Sequence, residues 1–130
     1  MKTPTVAKLK KKLDTIYSQY VRLSNSNFEI VSCVTCGIEK PWKEMQCGHY
    51  VSRTHNATRF DEQNTHPQCY GCNVGRGGNY PKYALFLVQR YGAGILEDLD
   101  QRSKEIKRFT VSELEEMITD YKAKLADLQD

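Results

Sequence analysis

No apolar run in the sequence exceeds the six residues 83–88 (YALFLV). That is far short of the roughly 20 that span a bilayer. The charged start, Lys2 to Lys12, lacks the apolar stretch of a secretion signal, which points to a cytoplasmic protein. There is no internal repeat and no low-complexity tract. No charge sign dominates: the net charge is only +3 over 130 residues. That charge is unevenly spread, however. Residues 1–90 hold 13 Lys/Arg and 6 Asp/Glu, a net of +7, whereas residues 91–130 hold 6 and 10, a net of −4. A basic first part suits a polyanion and an acidic tail does not. The length suits one domain, and 39% hydrophobic residues suffice for a modest core.

Periodicity places helices at both ends. Thr3-Pro4 has the form of a helix start, and Val6, Leu9, Leu13, Ile16, Tyr20 and Leu23 follow at gaps of three and four. Ser24 to Asn27 end that helix. Residues 28–31 and 45–52 read as strands, and residues 53–64 as a polar loop. Residues 69–74 open a short helix that Gly75-Arg76-Gly77-Gly78 breaks. Pro81 starts a more apolar helix through Tyr91, and residues 95–99 are a further turn. Thr110/Glu113 and Ser112/Glu115 each fit a capping box ahead of a last stripe, Leu114, Met117, Tyr121, Leu125 and Leu128. The terminal stripes have near-heptad spacing, so each can pack on the other or on a second copy in a homodimer.

Four of the five cysteines form two C-x-x-C pairs, Cys33/Cys36 and Cys69/Cys72. In a reducing compartment this pattern reads as four thiolate ligands of a closed, structural Zn2+. Cys47, left over, reads as a small packing residue. A compact zinc ribbon separates its pairs by roughly 15–20 residues. Here the spacer, residues 37–68, has 32, and it contains all three histidines, His49, His55 and His66.

The order C-x-x-C, histidine on a strand, Asn64 five residues before the second C-x-x-C, then Asn73 directly after Cys72, resembles the HNH pattern. Phosphodiester hydrolysis needs a base near neutrality, which an imidazole supplies. It also needs a cation to neutralise the phosphate and the leaving oxygen. Magnesium keeps several waters, so one amide oxygen can contribute to its site. More specifically, residues 8–92 resemble the NinG/Rap recombination nucleases of lambda-like phages. The carrying residues are Cys33-Val34-Thr35-Cys36, Gly48-His49-Tyr50-Val51-Ser52-Arg53, Arg59-Phe60, Asn64-Thr65-His66-Pro67-Gln68-Cys69, Cys72-Asn73 and Gly78-Asn79.

The resemblance implies an α+β fold, with a zinc-stapled ββα-metal (HNH-like) core at 28–92 between a basic N-terminal helix at 1–27 and a helical extension at 93–130. It implies a structure-selective, Mg2+- or Mn2+-dependent endonuclease acting on branched DNA, Holliday junctions and D-loops, in the host cytoplasm. His49 matches the general base, Asn73 the ligand of the catalytic metal, and Asn64 the asparagine supporting the turn that carries the base. Many HNH enzymes have an acidic ligand before the base; here that position is Gly48. Arg59 and His66 are candidates to steady phosphate or metal, against a structural arginine and a histidine packed beside the zinc loop. Lys10, Lys11, Lys12, Arg53 and Arg76 are candidate DNA contacts, and His55 reads as solvated. The alternative to an endonuclease is a non-catalytic zinc module that binds nucleic acid as an adaptor; it has no use for the pair His49 and Asn73. A sequence-specific HNH nuclease would need a separate recognition module, for which 130 residues leave little room.

Overall fold

The computed structural model describes residues 4–129. It is a mixed α+β domain with two small antiparallel sheets between terminal helices. Helix α1 (Val6–Ser24) starts two residues later than Thr3-Pro4 suggests, and Thr3 lies outside the described residues. Its N-cap is Thr5, whose hydroxyl accepts from the Lys8 amide at 3.2 Å. Such a cap contributes about 1 kcal/mol. Strands β1 (Ile30–Ser32) and β2 (Glu39–Pro41) form the first sheet. Strands β3 (Gln46–His49) and β4 (Thr65–Gln68) form the second. A short helix α2 (Asn56–Arg59) interrupts the segment expected to be loop. After β4 comes a π-helical turn, Gly71–Gly75. Then follow α3 (Tyr80–Tyr91), α4 (Ile95–Ser103) and α5 (Val111–Gln129).

Of the two capping boxes offered by the sequence, Thr110/Glu113 forms: the Glu113 amide donates to Thr110 Oγ1 at 3.1 Å and the Thr110 amide to Glu113 Oε1 at 3.4 Å. Helix α5 then lies along α1. Leu9, Leu13, Ile16, Tyr17 and Val21 bury against Leu114, Ile118 and Tyr121, with Tyr121 edge-on to Tyr17 at 5.0 Å between centroids. The two stripes therefore satisfy each other within one chain. Of the two packings that the stripes allow, the one within a chain forms between α1 and α5. Leu128, the last residue of the expected stripe, is exposed. No helix among the described residues is long and apolar enough to cross a membrane.

The β3–β4 hairpin sits between α1 on one face and α3 on the other. Tyr17 of α1 bonds Thr65 at 2.7 Å, and Tyr83 of α3 donates to the Gly48 carbonyl at 2.8 Å. All four residues of β4 are buried as a result, so it shows none of the polar/apolar alternation of a half-exposed strand.

Candidate metal centre and cleft

Cys33 directly follows β1, and its partner Cys36 lies in a tight turn closed by the Gly37 amide on the Cys33 carbonyl at 2.9 Å. Gly37 has φ +81°, a conformation side chains rarely adopt. Cys69 follows β4, and Cys72 lies in the π turn with its amide on Cys69 Sγ at 3.4 Å. The four sulfurs lie within 4.8 Å of one another. Tetrahedral zinc with Zn–S bonds of about 2.3 Å needs sulfurs about 3.8 Å apart, and Cys36 and Cys69 stand at 3.7 Å. The cluster could therefore hold a structural zinc by thiolate ligation. Burial acts to raise the Cys33 thiol pKa, but hydrogen bonds from the Thr35 hydroxyl and nearby backbone amides outweigh it and draw it down to about 6. Asn79 and Arg76 donate to Cys72 Sγ at 3.5 and 3.9 Å. Arg76, expected on DNA, is thus turned toward the metal centre.

A cleft of about 480 Å³ opens between α1, β3 and the π turn. His49, Asn73, Arg53, Gln46 and Asp14 line it. His49 Nε2 lies 2.9 Å from the Arg59 carbonyl. A carbonyl can only accept, so Nε2 carries the proton and Nδ1 holds the lone pair. Among the described residues no hydrogen-bond partner occupies Nδ1. Burial pushes the His49 pKa below the ordinary histidine value, while the Arg59 carbonyl and Asp14 partly restore it. The imidazole is therefore a neutral acceptor at pH 7.

Arg59 does not present its fork to the cleft. Nε donates to Asp14 Oδ1 at 2.9 Å, Nη2 pairs with Asp14 Oδ2, and Nη1 donates to the Arg53 carbonyl at 2.9 Å. It is a structural arginine that ties α1 to the segment holding His49, not a phosphate clamp. Asp14, the only acidic residue of α1, is the residue the sequence reading missed. A lone carboxylate on a lysine-rich helix was the available signal.

His66 also departs from the expected role. It pairs with Gly48 while His49 pairs with Thr65, so the two histidines point to opposite faces of the hairpin. His66 is buried with Nδ1 on Tyr83 Oη at 3.0 Å and Nε2 on Tyr91 Oη at 2.8 Å. Burial, then Arg90, lowers its pKa to about 4. It is a satisfied core histidine. Asn64 is fully buried outside the cleft; its Oδ1 accepts from the Val51 amide at 2.8 Å, and Nδ2 donates to the Val51 and Thr58 carbonyls. It clamps the loop after His49 and touches no space open to substrate.

Gly48 explains the missing carboxylate. A Cβ there would meet Gln68 Oε1 at 1.9 Å, and the Gln68 side chain is buried and bonded to Thr35 and the Gly78 carbonyl. Asn73 is left as the amide ligand candidate in the cleft, and its Nδ2 donates to Gln46 Oε1 at 2.7 Å. Of the lysine run, Lys10 is occupied by Asn56 Oδ1 at 2.8 Å. Lys11 is exposed three residues before Asp14, on the same side of α1. Lys12 is exposed two residues before Asp14 and points elsewhere. His55 is exposed, and the Cys47 thiol is raised to about 12 by burial.

A family model described as Bacteriophage Lambda NinG protein matches residues 2–130. The Protein ninG of Salmonella phage P22 is 35% identical over 101 residues, covering 75% of this chain and 48% of that protein. The Protein ninG of Escherichia phage 933W is 34% identical over 100 residues, with coverages of 75% and 48%. The Protein ninG of Escherichia phage lambda is 32% identical over 100 residues, covering 75% and 47%. The chain thus spans about half the length of the curated relatives it matches. No solved structure matches it.

Proposed function

The chain belongs to the NinG family of phage proteins, and from that membership and the cleft we propose a divalent-metal-dependent DNA endonuclease of the HNH type. The observation that carries the reading is His49, held by the Arg59 carbonyl through Nε2 with Nδ1 open in a cleft shared with Asn73. A fixed tautomer with an open acceptor nitrogen supports the reading of His49 as a general base.

His49 Nδ1 takes the proton of a water whose oxygen attacks phosphorus. The P–O bond to the leaving sugar oxygen breaks, and that oxygen takes a proton from solvent. The Arg59 carbonyl fixes the tautomer, and Asp14 fixes Arg59. Arg53 at the cleft and Lys11 on α1 supply positive charge for the backbone phosphates. Asn73 would hold Mg2+ or Mn2+ through Oδ1; an all-oxygen site with one protein ligand fits a cation that keeps most of its waters. That cation, when bound, neutralises charge on the phosphate and the leaving oxygen. Cys33, Cys36, Cys69 and Cys72 would fill all four positions of a structural zinc, which would hold Asn73 beside β3. Branched DNA as the preferred substrate follows from the NinG/Rap resemblance.

The test is incubation of the pure protein with a labelled four-way junction and a matched duplex, with and without magnesium or manganese. Metal-dependent cutting that favours the junction is expected. Tight binding to the junction without cutting in either metal would replace the nuclease with a DNA-binding adaptor.

A further inference from the structure

An amide side chain is a metal ligand only while its oxygen, rather than its NH2 group, faces the cation. Nothing in the geometry of asparagine itself selects one end, since the two differ little in size. In this cleft the selecting contact comes from Gln46 at the start of β3. Its Oε1 accepts the Asn73 Nδ2 hydrogen at 2.7 Å, which commits the Asn73 nitrogen to the strand and leaves Oδ1 for the cleft.

The two residues reach this contact from separate elements, β3 and the π turn. Gln46 is fixed by its register opposite Gln68 at the end of the hairpin. Asn73 is fixed by its amide on the Cys69 carbonyl at 2.9 Å, one residue after the last cysteine. Both are half-buried in the wall of the cleft. Neither the apolar core nor the sulfur cluster uses the Gln46 amide.

We propose that Gln46 is a positioning residue for the catalytic cation: it orients Asn73 so that Oδ1 faces the cleft. The inference rests on the nuclease reading of that cleft. Partners that orient a metal ligand typically set affinity by a factor of about 10–100.

The experiment uses Mn2+ as the probe, with binding read by electron paramagnetic resonance in the zinc-loaded His49→Ala protein, so that catalysis does not enter. Gln46→Met, of similar length but with no acceptor oxygen, should weaken Mn2+ binding about 10-fold. Gln46→Glu can only accept, and so should keep Asn73 in its orientation and bind Mn2+ at least as tightly as the parent. Asn73→Ala should weaken binding as much as Gln46→Met or more, and combining it with Gln46→Met should add little. Zinc content and thermal midpoint, measured alongside, confirm that the Met variant is folded. In the active background, Gln46→Met should raise the magnesium needed for half-maximal cutting while the rate at saturating metal stays near wild type. Wild-type Mn2+ affinity in a folded Gln46→Met protein, with Asn73→Ala still impaired, would overturn the role of Gln46 alone. Unchanged affinity in Asn73→Ala as well would remove the amide site, and with it the metal half of the nuclease reading.

Discussion

Replacing His66 by glutamine should remove a pH dependence from the protein's stability, and its size follows from the surroundings of the ring. The Tyr83 hydroxyl has one proton, given to the Gly48 carbonyl at 2.8 Å, so its oxygen accepts from His66 Nδ1–H. Nε2 is then the acceptor for the Tyr91 hydroxyl at 2.8 Å. A second proton would force the Tyr91 hydroxyl to turn its own proton away, and the charge would be buried, 2% exposed, on the side of the sheet that Arg90 approaches. The folded-state pKa is accordingly lowered to about 4, against about 6.5 in the unfolded chain. Below pH 6.5 the unfolded state takes up a proton that the folded state refuses. The stabilisation is therefore complete above pH 6.5 and is lost as pH falls, by up to about 1.4 kcal/mol per unit. Integration gives a loss of about 2 kcal/mol at pH 5 and about 3 at pH 4. Glutamine cannot titrate, and its amide reaches toward Tyr91. Urea unfolding of both proteins at pH 7, 6, 5 and 4 isolates the histidine, since other titrations cancel in the difference. His66→Gln should be less stable at pH 7 and lose that deficit by about 2 kcal/mol at pH 5. Parallel stability curves would refute the buried, neutral His66.

Cys36→Ser, or serine at Cys33, Cys69 or Cys72, should yield unfolded or insoluble protein, because structural zinc in small domains supplies on the order of 10 kcal/mol; elemental analysis of wild type should find one zinc per chain, while Cys47→Ser should be mild. Asp14→Asn leaves the Arg59 guanidinium without its carboxylate at a site where the two side chains are 14% and 20% exposed. That lies between surface and buried pairs, so we expect a loss of about 2 kcal/mol, read as a fall in thermal midpoint, together with slower cutting as His49 loses its fixed acceptor. Lys11→Gln with Arg53→Gln should reduce the slope of log affinity against log salt on duplex DNA by up to about 2, whereas Lys12→Gln should leave it near wild type.

Local chemistry was the legible part of this fold. The apolar stripes of α1 and α5 and the Thr110/Glu113 box follow from helical spacing, and the four cysteines converge as their two knuckles suggest. The elements that escaped are those whose form is set by distant contacts. β4 carries Pro67 and is buried on both faces, so neither propensity nor alternation marks it. Helix α2 has only four residues, and its first, Asn56, is held by Lys10 and the Lys107 carbonyl, both more than 45 positions away. The same limit applies to the site. His49 and Asn73 stand out by their places in the motif, but Asp14 and Gln46 act through partners 45 and 27 positions along the chain. Arg59 and His66 had motif positions that suggested chemistry; the carboxylate of Asp14 and the hydroxyls of Tyr83 and Tyr91 consume their polar groups instead.

If His49 Nδ1 accepts the proton of the attacking water, the cutting rate must depend on its titration. The measurement is single-turnover cutting of a labelled four-way junction by wild type and His49→Ala at saturating magnesium, across pH 5 to 8. The wild-type rate should rise with pH through a midpoint below 6.5, because burial lowers the His49 pKa. His49→Ala should keep its junction affinity and cut about 10²–10⁴-fold more slowly, without that midpoint. A His49→Ala protein that cuts at near wild-type rate with the same pH profile would contradict that role of His49.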